Sequence, residues 1–406
     1  MIRKAKLLFH TVKYLKFSQL WNRVKRIFST PCINTSSSPK LSKPKNEFQT
    51  VALSQQKMLN SNTFRFLNET NSVKASESWN DDNLDKLWLY NLHYFDDLNA
   101  VNSDKRKEWH DSLIQKWIKE NEPGCGNGWE PYPSSLRIVN WIKWSLLGAD
   151  IKQDWHDSLA VQVRYLSQNL EYHILGNHLF SNAKALIYAG LYFQGIEAEK
   201  WYKTGITIFN KELQEQVLPD GGNFELSPMY HAIFLEDLLD IFNIHQAFNK
   251  QFPYDIANKI TSMFDWLRAM CHPDGGVSFF NDSVIGIAPN LTELENYAER
   301  LKIPLSKKID ELTHLCNSGY IRVQKGNLVA LLDVAHVGPS YIPGHAHADT
   351  LSFELSLFGQ RVMVNSGTSC YGVGVERLRQ RGTPAHNSVV INGENSSEVW
   401  SGFRVA

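Results

Sequence analysis

Two histidines and an aspartate alternate in Gly344-His345-Ala346-His347-Ala348-Asp349-Thr350. Successive side chains of an extended chain point to opposite faces, so His345, His347 and Asp349 are predicted to share one. Imidazoles and a carboxylate converging in this way suit metal binding or proton transfer near neutral pH. Further ligands stand downstream, at Asn365 in Val364-Asn365-Ser366-Gly367 and at His386-Asn387. A binuclear metallo-hydrolase of the His-x-His-x-Asp-His type fits less well, because Thr350 occupies the place of its third ligand.

Two other clusters precede this one. In Phe224-Glu225-Leu226-Ser227-Pro228-Met229-Tyr230-His231, Ser227-Pro228 starts a helix with proline at its first position. Tyr230 then lies in the first turn, with Glu225 in the loop beside it, and a tyrosine can act as acid or base once its neighbours lower its pKa. In Gly176-Asn177-His178-Leu179, an amide and an imidazole open a helix, where the dipole favours an anion. Trp129-Glu130-Pro131-Tyr132 sits in a Gly/Pro loop and offers flat aromatic faces to a ligand. Arg377, Arg379 and Arg381, with Arg137 as a weaker candidate, are read as partners for carboxylates, and Tyr371 as a reserve acid or base.

These residues need elements to hold them. From about residue 80 to 305 apolar residues recur at helical spacing, in segments near 106–120, 134–148, 155–171, 178–194, 198–217, 230–249 and 255–271. Two breaks between them are near copies, Leu218-Pro219-Asp220-Gly221-Gly222 and His272-Pro273-Asp274-Gly275-Gly276, set 54 residues apart. That spacing suggests stacked helical hairpins, as in an α-solenoid or a closed α/α toroid. After about residue 315 the runs 320–323, 328–332, 352–357, 361–364 and 388–391 read as strands, and Asn392-Gly393 as a hairpin turn. Helices followed by strands predict two domains, the second an antiparallel sandwich. Roughly 90 residues is short for one, so the sequence reads as a fragment lacking later strands.

Composition narrows the function classes. The 42 basic and 42 acidic residues cancel, yet residues 1–46 hold eleven of the basic ones and no acid. The remainder therefore carries 31 basic against 42 acidic residues, which does not suit a nucleic-acid binder. In the head Leu8, Val12, Leu15, Leu20, Val24 and Ile27 recur between cations, with Phe17, Trp21 and Phe28 as interfacial aromatics. The pattern is a basic amphipathic helix, and peripheral contact of residues 1–28 with an anionic membrane is one expectation. Cations interrupt any signal-peptide core, so the expected location is cytoplasmic or peripheral at the inner membrane, with periplasmic the alternative. The 5 cysteines are scattered and include no Cys-x-x-Cys, so neither a disulfide framework nor a thiolate zinc site is indicated.

Taken in order, Asn-His, then Ser-Pro-x-Tyr-His after a Gly-rich turn, then Gly-His-x-His-x-Asp followed by His-Asn, the sequence resembles the heparinase II/III family of polysaccharide lyases. The resemblance runs from about residue 80 to the end. It implies an incomplete (α/α) toroid over 47–312 followed by an antiparallel β-sandwich over 313–406, behind the basic head and linker of 1–46. By resemblance, Asn177, joined by His178, matches the group that neutralises a substrate carboxylate, and Tyr230 and His345 match the acid/base residues. His347 and His386 match ligands of a structural zinc, and no organic cofactor is implied. The family's third ligand is commonly an Asp where this chain has Asn365, a poor ligand, so Asp349 or another residue has to compensate.

The implied chemistry is β-elimination on an anionic, uronate-containing polysaccharide. A base removes the C5 proton, charge developing on the carboxylate is stabilised by hydrogen bonds, and O4 leaves with a proton. Either Tyr230 or His345 takes the C5 proton, and one residue can serve as both base and acid. A toroidal glycoside hydrolase is one alternative, with two carboxylates ~5–9.5 Å apart drawn from Glu225, Asp220, Asp274 and Asp282. It leaves the His-x-His-x-Asp cluster without a role. A non-catalytic polysaccharide-binding protein of a surface-polysaccharide pathway is the other.

Overall fold

The structure, a computed structural model, describes residues 2–252, 255–306 and 308–406, with side chains from residue 5 onward. Arg3 and Lys4, counted in the basic head, thus lie outside the described side chains. The chain begins with helices α1 (Ile2–Val12) and α2 (Phe17–Phe28) and a small antiparallel sheet, β1 (Met58–Asn60), β2 (Thr63–Phe66) and β3 (Glu69–Ser72). Helices follow: α3 (Lys86–Tyr94), α4 (Lys107–Glu120), α5 (Pro131–Leu146), α6 (Gln153–Gln168), α7 (Gly176–Tyr192), α8 (Ile196–Gln216), α9 (Pro228–Ala247), α10 (Ile256–Ala269) and α11 (Leu291–Arg300). Then come strands β4 (Leu312–Leu315), β5 (Tyr320–Lys325), β6 (Leu328–Asp333), β7 (Phe353–Leu357) and β8 (Gln360–Met363), helix α12 (Val375–Arg381) and the pair β9 (Val399–Trp400) and β10 (Arg404–Val405). All seven helical segments read from periodicity are present. Proline opens α5 and α9 at the first position, where its missing amide costs nothing.

The chain forms two compact units, one of residues 21–212 and 240–251, the other of residues 1–20, 213–239 and 252–406. The first is the aromatic-rich helical unit. Trp79, Trp88, Trp117, Trp141 and Trp155 are fully buried in it, so most of the aromatic crowd is core. Two sequence expectations are corrected here. Trp129 is not a sugar platform: it is buried, packs on Trp117 and Tyr165, and donates Nε1–H to the Asn121 carbonyl at 3.3 Å. Arg137 is not a free cation either. Its guanidinium is buried over the Trp117 ring at 3.8 Å and donates to Gln162 Oε1 at 2.9 Å and the Gly128 carbonyl at 2.7 Å. A buried cation with its donors satisfied in this way is a core strut.

The other unit carries the sheet and both Pro-Asp-Gly-Gly turns. Strands β4 to β8 form a five-stranded antiparallel meander in sequence order. Buried residues alternate along β5 to β7, and Tyr320, Val329 and Leu331 join Leu226, Trp266, Met270 and Phe280 in one apolar core. The turns are structural copies. Leu218 N donates to Gly222 O at 2.8 Å and Gly221 N to Leu218 O at 2.9 Å; His272 N donates to Gly276 O and Gly275 N to His272 O, both at 2.9 Å. Each aspartate takes the amide of the second glycine, Asp220 from Gly222 and Asp274 from Gly276.

One predicted strand is absent, and the histidine stretch is not extended. Residues 344–349 are irregular rather than extended in a sheet, because their amides have partners outside any ladder: Asn281 Oδ1 for His347 and the Arg381 carbonyl for Ala348. Residues 388–391 likewise form no strand, and Val389 and Ile391 are exposed. Only the Asn392-Gly393 turn survives there, closed by a bridge between Ile391 and Glu394.

At Gly221, φ is +87° and a β-carbon would lie 2.2 Å from the Ser262 carbonyl oxygen. Gly221→Ala is therefore expected to destabilise the fold by about 2 kcal/mol or more, read as a lowered midpoint in urea unfolding followed by circular dichroism.

Candidate active site

Tyr230 is placed by the start of α9. Ser227 Oγ accepts the Tyr230 amide at 3.2 Å, the serine cap that precedes Pro228. Leu226 before it has φ +60°, a strained conformation for a side chain with a β-carbon. Its carbonyl is held by Tyr320 Oη at 2.7 Å and Asn281 Nδ2 at 2.9 Å. Asn281 also accepts the His347 amide at 2.9 Å and donates its own amide to Asp349 Oδ2 at 2.8 Å. One asparagine thus ties the loop before α9 to the histidine loop.

The Tyr230 and His345 rings stack, with centroids 3.7 Å apart and planes inclined by 26°. The Tyr230 hydroxyl lies 3.4 Å from that of Tyr371. His345 stands between two carboxylates, with Nδ1 2.9 Å from Asp282 Oδ2 and Nε2 3.3 Å from Glu225 Oε2. Asp282 also meets His347 Nε2 at 2.8 Å and both terminal nitrogens of Arg377, Nη2 at 2.7 Å. Asp282, His347 and Arg377 are buried, whereas the His345 side chain keeps 14% of its surface exposed and Tyr230 is half-buried. Burial alone would raise the Asp282 pKa; the bonds from His345, His347 and Arg377 outweigh it and hold the carboxyl well below the usual range.

This charge state assigns the tautomers. A carboxylate only accepts, so His345 donates Nδ1–H and His347 donates Nε2–H to Asp282. His347 Nδ1 is buried without a protein hydrogen bond. Neither ring nitrogen of His386 has a hydrogen-bond partner, and burial pushes that imidazole down to about 4, so it is neutral with one N–H and one lone pair. The potential ligand atoms of His347, Asp349 and His386 lie within 4.8 Å of one another.

The helical unit holds the remaining candidates. Gly176 starts α7 after Leu175, whose φ is +72°, and Asn177 and His178 follow, both half-buried. His178 Nδ1 lies 3.0 Å from Glu171 Oε1, and its ring is 4.4 Å from that of Tyr132. Asn182 Nδ2 donates to Glu171 at 3.0 Å. Burial would raise the Glu171 pKa, but His178 and Asn182 bring it below its ordinary value.

Two family models match, "Heparinase II/III N-terminus" over residues 107–304 and "Heparinase II/III-like, C-terminal" over residues 310–406. The chain belongs to the heparinase II/III-like family. Curated relatives agree: it is 29% identical over 255 residues to a heparin-sulfate lyase of Bacteroides stercoris, covering 57% of this chain and 38% of that protein. It is 27% identical over 316 residues to a heparin-sulfate lyase of Pedobacter heparinus, covering 69% of this chain and 47% of that protein. The chain thus spans half or less of the length of these relatives. Among solved structures, heparinase III superposes with a TM-score of 0.61 at 21% identity, over 82% of this chain and 58% of that one. A heparan sulfate lyase HepC mutant from Pedobacter heparinus gives 0.53 at 19% identity, over 94% and 67%. The fold is that of these heparinases: an α/α-toroid helical part, then an antiparallel β part.

Against this family framework three sequence assignments change. Asn365 does not stand free as a metal ligand: its Nδ2 donates to Ser352 Oγ at 3.3 Å and its Oδ1 accepts the amide of Asn387, next to His386, at 3.1 Å. Asp349 completes the group instead. Arg377 is not a free partner for a uronate, because its guanidinium is buried on Asp282. Arg381 is likewise buried, donating Nε and Nη2 to the Ala346 carbonyl at 3.0 and 2.8 Å, which straps the histidine loop. Sequence reasoning weighed Asp282 only as a hydrolase carboxylate and passed over Asn281. The available signal was the repeated turn, since both follow the second Pro-Asp-Gly-Gly copy as Glu225 follows the first.

Asp282→Asn removes the charge facing a buried guanidinium, and is expected to lower stability by about 3–5 kcal/mol in denaturant unfolding. Adding Arg377→Met, which removes the stranded cation, should recover part of that loss.

Proposed function

We propose that this chain carries the catalytic machinery of a polysaccharide lyase that cleaves a uronate-containing, glycosaminoglycan-type polymer by β-elimination. The observation that carries the reading is the stacked Tyr230–His345 pair, partly exposed beside a buried, ionised Asp282. Asp282 fixes the His345 tautomer, so the imidazole keeps Nε2 for exchange of a proton while Nδ1–H stays engaged. In this reading Tyr230 and His345 divide the two proton transfers, removal from C5 and delivery to O4, with Tyr371 beside the Tyr230 hydroxyl. In the helical unit, Asn177 and His178, the latter held by Glu171, are groups of the type that takes a carboxylate and stabilises charge developing on it. Tyr132, packed at a tilt against His178, offers a face to a sugar. A hydrolase is the poorer reading. Glu225 and Asp282, two of the carboxylates it would need, both meet the same imidazole, and Asp282 is also paired with Arg377. The relatives named as heparin-sulfate lyases support the lyase reading and the anionic substrate class.

The same geometry suits a structural zinc on His347, Asp349 and His386. The unpartnered Nδ1 of His347, the unpartnered nitrogens of His386 and one carboxylate are the donor types such an ion takes. Asp282 would then be the outer carboxylate that orients a ligating histidine. Bound there, the ion would supply rigidity to the histidine loop, and the proton transfers belong to Tyr230 and His345.

Incubation with uronate-containing polysaccharides is expected to release unsaturated product absorbing in the ultraviolet, with no water consumed. A new reducing end without that absorbance would reject the lyase reading. Tyr230→Phe should lose about 10²–10⁴-fold in turnover while polymer binding persists. For the zinc site, metal analysis of the purified protein should find close to one zinc per chain, and His347→Ala should lose it together with thermal stability. Unchanged metal content in that variant would remove His347 from the ligand set.

A further inference from the structure

Helix α2, Phe17–Phe28, is turned the wrong way for a helix of a water-soluble body. Phe17, Leu20, Trp21, Val24, Ile27 and Phe28 recur at three- and four-residue steps and form one apolar stripe. Such a stripe ordinarily faces the core. Here it faces out: Phe17 is 78% exposed, Trp21 59%, Ile27 77% and Phe28 84%. The helix is held instead through its polar side. Gln19, opposite the stripe, is 2% exposed, and its Nε2 approaches the Tyr341 carbonyl at 3.5 Å. Lys16, just before the helix, pairs with Glu215, and Arg26 meets His173. The preceding helix adds exposed Leu8, Phe9 and Val12.

We propose that this stripe seats in the headgroup and upper acyl region of an anionic lipid bilayer, with α2 lying in the membrane plane. Charge selects this occupant over a second protein surface. Residues 1–46 hold eleven cations and no acid, and the exposed Arg23 and Lys25 flank the stripe on its two edges, where long basic side chains reach lipid phosphates while their stems stay apolar. Trp21 and the phenylalanines are the residue types that partition at that depth. At 12 residues α2 spans ~18 Å and cannot cross the ~30 Å hydrocarbon layer, and among the described residues no helix is long and apolar enough to do so. The helix therefore lies on the membrane.

The test is flotation of the full chain with vesicles of phosphatidylglycerol and phosphatidylcholine, against pure phosphatidylcholine, at low and high salt. The expected result is binding to the mixed vesicles that weakens with salt and on neutral vesicles. Trp21→Ser with Phe28→Ser should abolish flotation with an unchanged circular dichroism spectrum. Arg23→Glu with Lys25→Glu, which leaves the apolar stripe intact, should weaken binding by about fivefold or more for each cation reversed. Two outcomes overturn the proposal: no flotation with the mixed vesicles, or a dimer in sedimentation analysis that the serine variant dissolves while flotation is absent in both proteins.

Discussion

A single buried carboxylate organises the candidate site. Asp282 has no access to solvent, and leaving a carboxylate there uncompensated would cost several kcal/mol. Four donor nitrogens meet it: Nδ1 of His345, Nε2 of His347 and the two terminal nitrogens of Arg377. Each of these bonds constrains its donor. The imidazole of His345 is oriented with Nε2 toward Glu225, and that of His347 is turned so that Nδ1 lacks a protein partner. Arg377 is drawn in from α12, where it also donates to the Gly402 carbonyl at 3.0 Å. Remove the carboxylate and both His345 and the metal-type cluster lose their common anchor.

The backbone around this anchor is held by side chains rather than by strand pairing. Asn281 bonds the Leu226 carbonyl, the His347 amide and the Asp349 carboxylate, and Arg381 clamps the Ala346 carbonyl. Such bonds let a loop present two histidines in different directions, His345 toward Tyr230 and His347 inward. A regular strand would have placed both on one face. Strain is stored at Leu226 before the Tyr230 helix and, in the helical unit, at Leu175 before the Asn177 helix, each with positive φ.

Much of this was legible in the sequence. The helix-then-strand order, the seven helical segments, the serine-capped start of α9 and the two equivalent turns all rest on local signals: periodicity, proline at a first turn, glycine where φ is positive. Tyr230, His345 and Asn177 were singled out from local motifs as well, and the structure places Tyr230 and His345 ring to ring. Local reading failed at the 388–391 strand, at Asn365, and on three arginines and one tryptophan. Arg137, Arg377, Arg381 and Trp129 look surface-active as residue types, yet each is buried with its donors satisfied.

The sequence by itself determined which groups exist and what local backbone each occupies, since caps, turns and helical periods are decided within a few residues. Tertiary structure alone decided which charge neutralises which. Asp282 is 63 residues from His345 and 95 from Arg377 along the chain, and nothing in its neighbours marks it as their partner. Pairing over such separations is set by burial: the cost of desolvating an unpaired ion favours the arrangement in which this carboxylate meets a guanidinium and two imidazoles. The outward turn of the apolar stripe on α2 is the same kind of fact. Periodicity announced an amphipathic helix, and only packing revealed that its polar side holds the protein while its apolar side faces away.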